Sequence, residues 1–215
     1  MPKGFFMRRF RNWILIPALI VAAIWFGLTI WVEKEGPARK WELVAVNIEG
    51  AAVVVFDPDP IYNLDEQVCK SFATALTKNG WQVTIATVAA ARSIDASYDL
   101  YVLCANTYNW APDRSIVEYI KSTLPNNKPV VAITLGAGST KQSQRKLEEL
   151  IRRKGSRLIA SGSYWLWRPN AEEKTKRSNV EVAVEGVYNW ADSITRSLQA
   201  ATRRFARNQI HYHLR

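Results

Sequence analysis

Histidine, cysteine and methionine are nearly missing, with two of each in 215 residues. His211 and His213 stand at the extreme C-terminus, where a metal would find no further ligands. Cys69 and Cys104 have neither metal-ligand spacing nor a histidine nearby, so no metal centre and no disulfide framework are expected, and both read as small buried apolar residues. Acidic residues are also short, 19 against 29 basic, for a net charge of +10. The deficit is uneven: residues 1–40 carry 7 basic and 2 acidic groups, residues 41–139 carry 6 and 10, and residues 140–215 carry 16 and 7. Basic ends of this kind suit contact with anionic lipid or nucleic acid, but most such charges simply solvate a face. Nothing else in the chain speaks for nucleic acid, and none is expected as a partner. Internal repeats and low-complexity tracts are absent as well, and the length suits one α/β domain.

Charge is wholly absent from residues 13–32, which run from Trp13 to Val32. Twenty apolar residues at ~1.5 Å each span a hydrocarbon core of ~30 Å. Trp13 and Trp31 bracket the run as interfacial anchors, Arg8, Arg9 and Arg11 precede it, and Glu33 and Lys34 end it. Residues 33–40 offer no small-x-small cleavage site, so the run reads as an uncleaved signal anchor with lipid as its partner. The chain then divides into a basic segment (1–12), a transmembrane helix (13–32), a linker (33–50) holding Gly36 and Pro37, a folded domain (51–206) and a basic tail (207–215). Lys3, Arg8, Arg9 and Arg11 outnumber Lys34, Arg39 and Lys40, which places the N-terminus in the cytoplasm and the domain across the cell membrane on a single pass.

Beyond the linker, strand-like and helix-like blocks alternate, the mark of a parallel sheet. Strands are expected over 52–56, 82–88 (with edge character), 98–105, 129–135 and 158–161. Leu64, Val68, Phe72 and Leu76 form one apolar helical stripe, with Asn63 and Glu66 as a capping box and Asn79-Gly80 as its stop. A second helix is expected over 112–124. A third follows Ser139 or Thr140 as N-cap and ends at Gly155. After a charged loop at 172–179, a long final helix carries Val184, Tyr188, Ala191, Ile194, Leu198 and Phe205 on its inner face.

The stretch from Tyr98 to Pro112 is the centre of the chain. Leu100 to Ala105 are uninterruptedly apolar, as in a strand covered on both faces. The run stops at Asn106, and Thr107, Tyr108, Asn109 and Trp110 then mix hydrogen-bonding groups with two large rings. Ligands of open parallel sheets sit at the carboxyl ends of strands, so these rings either face a planar ligand or cap the sheet. Val53-Val-Val-Phe-Asp57 with Asp59 also suggests a phosphoacceptor receiver domain, but Asn106 rather than aspartate closes the third strand and no lysine ends the fifth.

The strand order, Tyr98-Asp-Leu-Tyr-Val-Leu, the loop Asn106-Thr-Tyr-Asn-Trp-Ala-Pro112 and Lys128-Pro-Val-Val-Ala-Ile-Thr-Leu-Gly-Ala-Gly138 together resemble the flavodoxin family over residues 51–205. The resemblance implies a doubly wound five-stranded parallel sheet of order 2-1-3-4-5, here preceded by one transmembrane helix. It also implies FMN lined by Asn106, Thr107, Tyr108, Asn109 and Trp110 after the third strand and by Leu135, Gly136, Ala137 and Gly138 after the fourth. Where the family holds the FMN phosphate in a Thr/Ser/Gly-rich turn, this sequence has Asp57-Pro-Asp-Pro-Ile-Tyr-Asn63. Two prolines remove N–H donors and two aspartates bring negative charge, leaving Tyr62, Asn63 and the helix N-terminus as donors. Two functional readings follow: an FMN-dependent electron-transfer module serving a membrane redox partner, and a flavin-free binding or scaffold module at the membrane.

Overall fold

The computed structural model describes residues 3–94, 97–171 and 176–213, with side chains over 13–94, 97–171 and 176–200. Phe205, the tail 207–215 and part of the charged loop 172–179 therefore lie outside the described side chains. Contacts divide the chain into two units, Met1–Lys34 and Glu35–Arg215. The first is α1 (Lys3–Val32), with Pro17 inside it. Within it Trp13–Val32 is long and apolar enough to cross a membrane, and none of it is buried.

The second unit contains β1 (Lys40–Leu43), β2 (Gly50–Phe56), α2 (Leu64–Lys78), β3 (Trp81–Thr87), α3 (Val88–Ala91), β4 (Leu100–Tyr108), β5 (Ala111–Pro112), α4 (Arg114–Ser122), β6 (Pro129–Gly136), α5 (Lys141–Arg153), β7 (Arg157–Trp165) and α6 (Asn179–His213). The sheet runs β1-β3-β2-β4-β6-β7, with the two-residue β5 folded back on β4. β3, β2, β4, β6 and β7 are mutually parallel, which is the expected 2-1-3-4-5 order.

Alternation along the strands divides the core. Val54, Val102, Cys104, Val131 and Ile133 face α2 and α6, where Val68, Phe72, Leu76, Val187 and Ala191 are buried. Val53, Val55, Leu103, Ala105 and Ala132 face the other layer, with Ile116, Ile120, Leu147 and Ile151. Covering both faces is what makes the strands continuously apolar.

Five expectations are corrected. Residues 40–43 are not linker: they add β1, antiparallel to β3, with Trp41 opposite Ile85. The second parallel strand is therefore interior, and Trp41 lies 6.4 Å from the Phe56 ring while Arg39 and Lys70 cover it. The helix expected from Pro112 begins at Arg114 instead, because Pro112 pairs with Thr107 and Asp113 caps the helix, its carboxylate accepting the Ile116 N–H at 2.9 Å. The Asn63–Glu66 capping box is not formed; Asn63 makes no side-chain cap bond and accepts from Gln67, while Glu66 pairs with Arg39 and Lys70. Finally, the fully buried face of α6 runs through Ala183, Val187, Ala191 and Thr195, one residue off the expected stripe at its start. The shift seats Trp190 on Gly162, where an added Cβ would stand 3.2 Å from the indole.

Candidate functional site

The carboxyl ends of β2, β4, β6 and β7 point the same way, so the loops after them meet at one end of the sheet. The first loop, residues 57–63, is built around carboxylates. Asp57 is buried and accepts the Gly36 N–H at 2.9 Å. Asp59 accepts the amide protons of Ile61 and Tyr62 at 2.7 and 2.9 Å, while the Tyr108 hydroxyl donates to its other oxygen at 2.6 Å. Asp65, almost fully buried, accepts from the amides of Asp59 (2.6 Å) and Glu66 (2.7 Å) and from the Asn106 side chain (3.1 Å).

Asn106 is the hinge between the two loops. Its Nδ2 also donates to the Asp57 carbonyl at 3.0 Å, and its N–H donates to Asp113 Oδ2 at 2.8 Å. The loop beyond it turns back through Asn109 (φ 48°) and Trp110 (φ 59°), both left-handed, so that Ala111 can pair with Tyr108. Non-glycine residues rarely sit there, and an indole least of all. The Trp110 side chain is exposed, Tyr108 is half-buried, and Thr107 Oγ1 is buried with no protein partner.

Burial sets the electrostatics. It pushes the Asp65 carboxyl up to about 6, against the lowering effect of the N–H donors that point at it. Burial likewise raises Asp57, and it raises Asp113 well above the ordinary value, with the Asp57 and Asp65 charges adding to the effect. Tyr108 is driven upward by burial and by its bond to Asp59, so it stays a neutral donor.

The carboxyl end of β6 and the loop after it hold Leu135 (buried) and Gly136 in the strand and Ala137 and Gly138 beyond it. A Cβ on Gly136 would meet Thr140 Cγ2 at 2.8 Å and Thr107 Cβ at 3.1 Å, so this glycine serves packing between loops rather than approach of a ligand. The Ala137 carbonyl accepts the N–H groups of Trp167 and Arg168 at 3.0 and 3.3 Å, which draws the loop after β7 over it. Trp165, the last residue of β7, donates to Thr140 Oγ1 at 2.8 Å, while beyond it Arg168 stacks on Trp165 at 4.6 Å and Trp167 is exposed.

Of the residues singled out in the sequence, Tyr62, Asn106, Thr107, Tyr108, Asn109, Trp110 and 135–138 all lie at these strand ends or on the loops after them; Asn63 lies there too, but its side chain is turned to Gln67. Sequence reasoning missed Asp65 and Asp113, which look like ordinary first-turn acids, and the stretch Trp165-Leu-Trp-Arg168, whose signal was a pair of indoles at the end of a strand.

No family model matches the sequence, and no curated protein matches it. Among solved structures, the rubredoxin oxygen:oxidoreductase of Desulfovibrio gigas superposes with a TM-score of 0.53 at 17% identity, over 72% of this chain and 37% of that one. This chain thus spans little more than a third of that protein. The fold is flavodoxin-like. A flavodoxin from the domain Archaea (TM-score 0.49, 10% identity, 68% of this chain and 99% of that chain) and the Megasphaera elsdenii flavodoxin (0.47, 13%, 64% and 98%) are also similar. The flavodoxin-like domain here differs in its first loop. FMN would need N–H donors for its phosphate at that loop, yet the Ile61 and Tyr62 amides already hold Asp59, the Asp59 amide holds Asp65, and Pro58 and Pro60 have none. The residues present do not fit the phosphate.

Proposed function

We propose that this chain is a flavodoxin-like binding or scaffold module, tethered to a membrane through residues 13–32, whose strand-end loops are held by its own carboxylates in place of a flavin phosphate. The observation that carries the reading is Asp59: one carboxylate takes two loop amides and the Tyr108 hydroxyl, the set of donors an incoming anion would require. A second anion placed there would meet Asp59 itself, with Asp65 behind it. The test is the absorption spectrum of the purified full-length protein followed by FMN titration. A colourless protein that takes up no FMN at high micromolar concentration is expected; a yellow one overturns the reading.

A second reading, FMN-dependent electron transfer to a membrane redox protein, is favoured by the half-buried Tyr108 at the end of β4 and the exposed Trp110 just beyond it. Under it, these rings and the main chain of 136–138 would hold a planar ring system, with stacking worth on the order of 1 kcal/mol beyond burial. For topology we propose a cytoplasmic N-terminus. Arg39 and Lys40, which oppose that orientation in a simple charge count, are paired with Glu66 and Glu42 in the folded domain.

A further inference from the structure

We infer that the strand-end rim formed by Ile61, Tyr62, Trp110 and Trp167 is a lipid-contacting surface, seated in the headgroup region of the bilayer that the chain's own apolar segment enters. The inference rests on the membrane-tether reading. Four large side chains on three separate loops are exposed at one end of the sheet: Ile61 56%, Tyr62 41%, Trp110 57% and Trp167 73%. Two are indoles and one a phenol, the side chains that favour a membrane–water boundary because an apolar ring carries a polar edge. Beneath them Asp59 holds the Ile61 and Tyr62 amides and the Tyr108 hydroxyl, and Asp65 holds Asn106, so these groups are paired as a surface leaving bulk water requires. The rings are thus displayed by a hydrogen-bonded base.

The occupant is argued from where the chain joins the domain. Glu35 is paired with Arg92 at 2.9 Å, Gly36 is bonded to Asp57 just after β2, and the Arg39 N–H donates to Thr87 Oγ1 at the end of β3 at 2.9 Å. All three fastenings are at the carboxyl end of the parallel strands, the end that carries the rim. Only residues 33 and 34 separate the last apolar residue of the span, Val32, from Glu35, and three Cα steps reach at most roughly 11 Å. The other exposed apolar patch, Val44, Val46 and Ile48, belongs to the connection from β1 to β2 and so lies at the opposite end of the sheet, a strand's length away. It has no such connection to lipid, which makes it an internal control.

Full-length protein in phosphatidylcholine vesicles tests this with single-cysteine variants carrying an environment-sensitive fluorophore, read by quenching from nitroxides placed shallow on the acyl chains. Cys69 and Cys104 are fully buried and stay unlabelled in the folded protein. Labels at Trp110→Cys, Trp167→Cys and Ile61→Cys are expected to be quenched at least twofold more than one at Val46→Cys. A label at Ile20→Cys, quenched by a mid-chain nitroxide, reports the tether separately. If position 20 is quenched while 61, 110 and 167 are quenched no more than 46, the lipid rim is overturned and the surface is left to a protein partner. If position 20 is not quenched, the tether reading fails and the rim with it. Ile61→Cys leaves Trp110 in place, so the test holds even if the indole is needed for folding.

Discussion

Asp59 is the residue on which the two functional readings divide. Replacing it with Ser frees the Ile61 and Tyr62 amides and removes one negative charge, so FMN uptake is expected to rise in Asp59→Ser, measured by flavin fluorescence quenching. No gain over wild type would show that the carboxylate is not what keeps the anion out. Asp57 is a poorer target: its carboxylate holds Gly36, and Asp57→Gly is expected to lower stability by roughly 1–3 kcal/mol, read by chemical denaturation. The buried acids also predict a pH dependence. A carboxyl raised above its unfolded value stabilises the fold fully below the unfolded pKa and loses that contribution as pH rises through the folded one. For Asp65, raised from 3.8 to about 6, the melting temperature is therefore expected to increase as pH falls from 7.5 toward 5, a change worth about 1.4 kcal/mol over that window. Glu66, whose carboxyl is lowered by its Lys70 and Arg39 partners, opposes this only below that window. A melting temperature that drops steadily from pH 7.5 to 5 would count against protonation of the cluster.

Among the elements, β1 is the one whose loss should be most visible. It covers the β3 edge, whose unpaired N–H and C=O groups would otherwise template aggregation. A chain beginning at Glu35 is expected to be soluble and monomeric, whereas one beginning at Val44 should aggregate or melt lower, as judged by size exclusion and thermal denaturation. Trp41→Ala should cost about 1–3 kcal/mol, since the ring is half-buried beside Phe56 and covered by two cations. The strand escaped sequence reading because Lys40-Trp-Glu-Leu43 is four residues long and lies just after Pro37, too short for a period-2 pattern to stand out. The carboxyl end of β6 gives another element-level test: Gly136→Ala places a methyl 2.8 Å from Thr140 and should destabilise by about 1–3 kcal/mol.

At the scale of the whole molecule, the chain comprises a flavodoxin-like unit, Glu35–Arg215, and, among the described residues, one helix long and apolar enough to cross a membrane. The full-length protein is expected to stay in the membrane pellet after carbonate extraction while the chain from Glu35 is released. Release of the full-length protein would remove the tether. The side of the membrane needs an introduced surface cysteine, because both natural thiols are buried and silent to polar reagents. With a cytoplasmic N-terminus, a cysteine at Val46 should react in intact cells with a reagent that cannot cross the membrane; labelling only after lysis reverses the topology.

Several features are set by local chemistry and were legible before any fold was in hand. A twenty-residue run without charge, five apolar strands alternating with amphipathic helices, and the interruption at Asn106 each declare themselves through composition and period, which require no knowledge of neighbours. So did the misfit of Asp57-Pro-Asp-Pro with a phosphate, since missing donors and added charge are properties of the residues. Only the tertiary structure decided where those groups bond. That the Tyr108 hydroxyl reaches Asp59, that Asp65 and Asp113 are buried acids tying Asn106 in place, and that Asp57 holds the Gly36 amide all depend on contacts between groups 7 to 49 residues apart. Hydrogen bonds of that range are made by topology, and a sequence read along one dimension carries no record of which distant partner a carboxylate will meet.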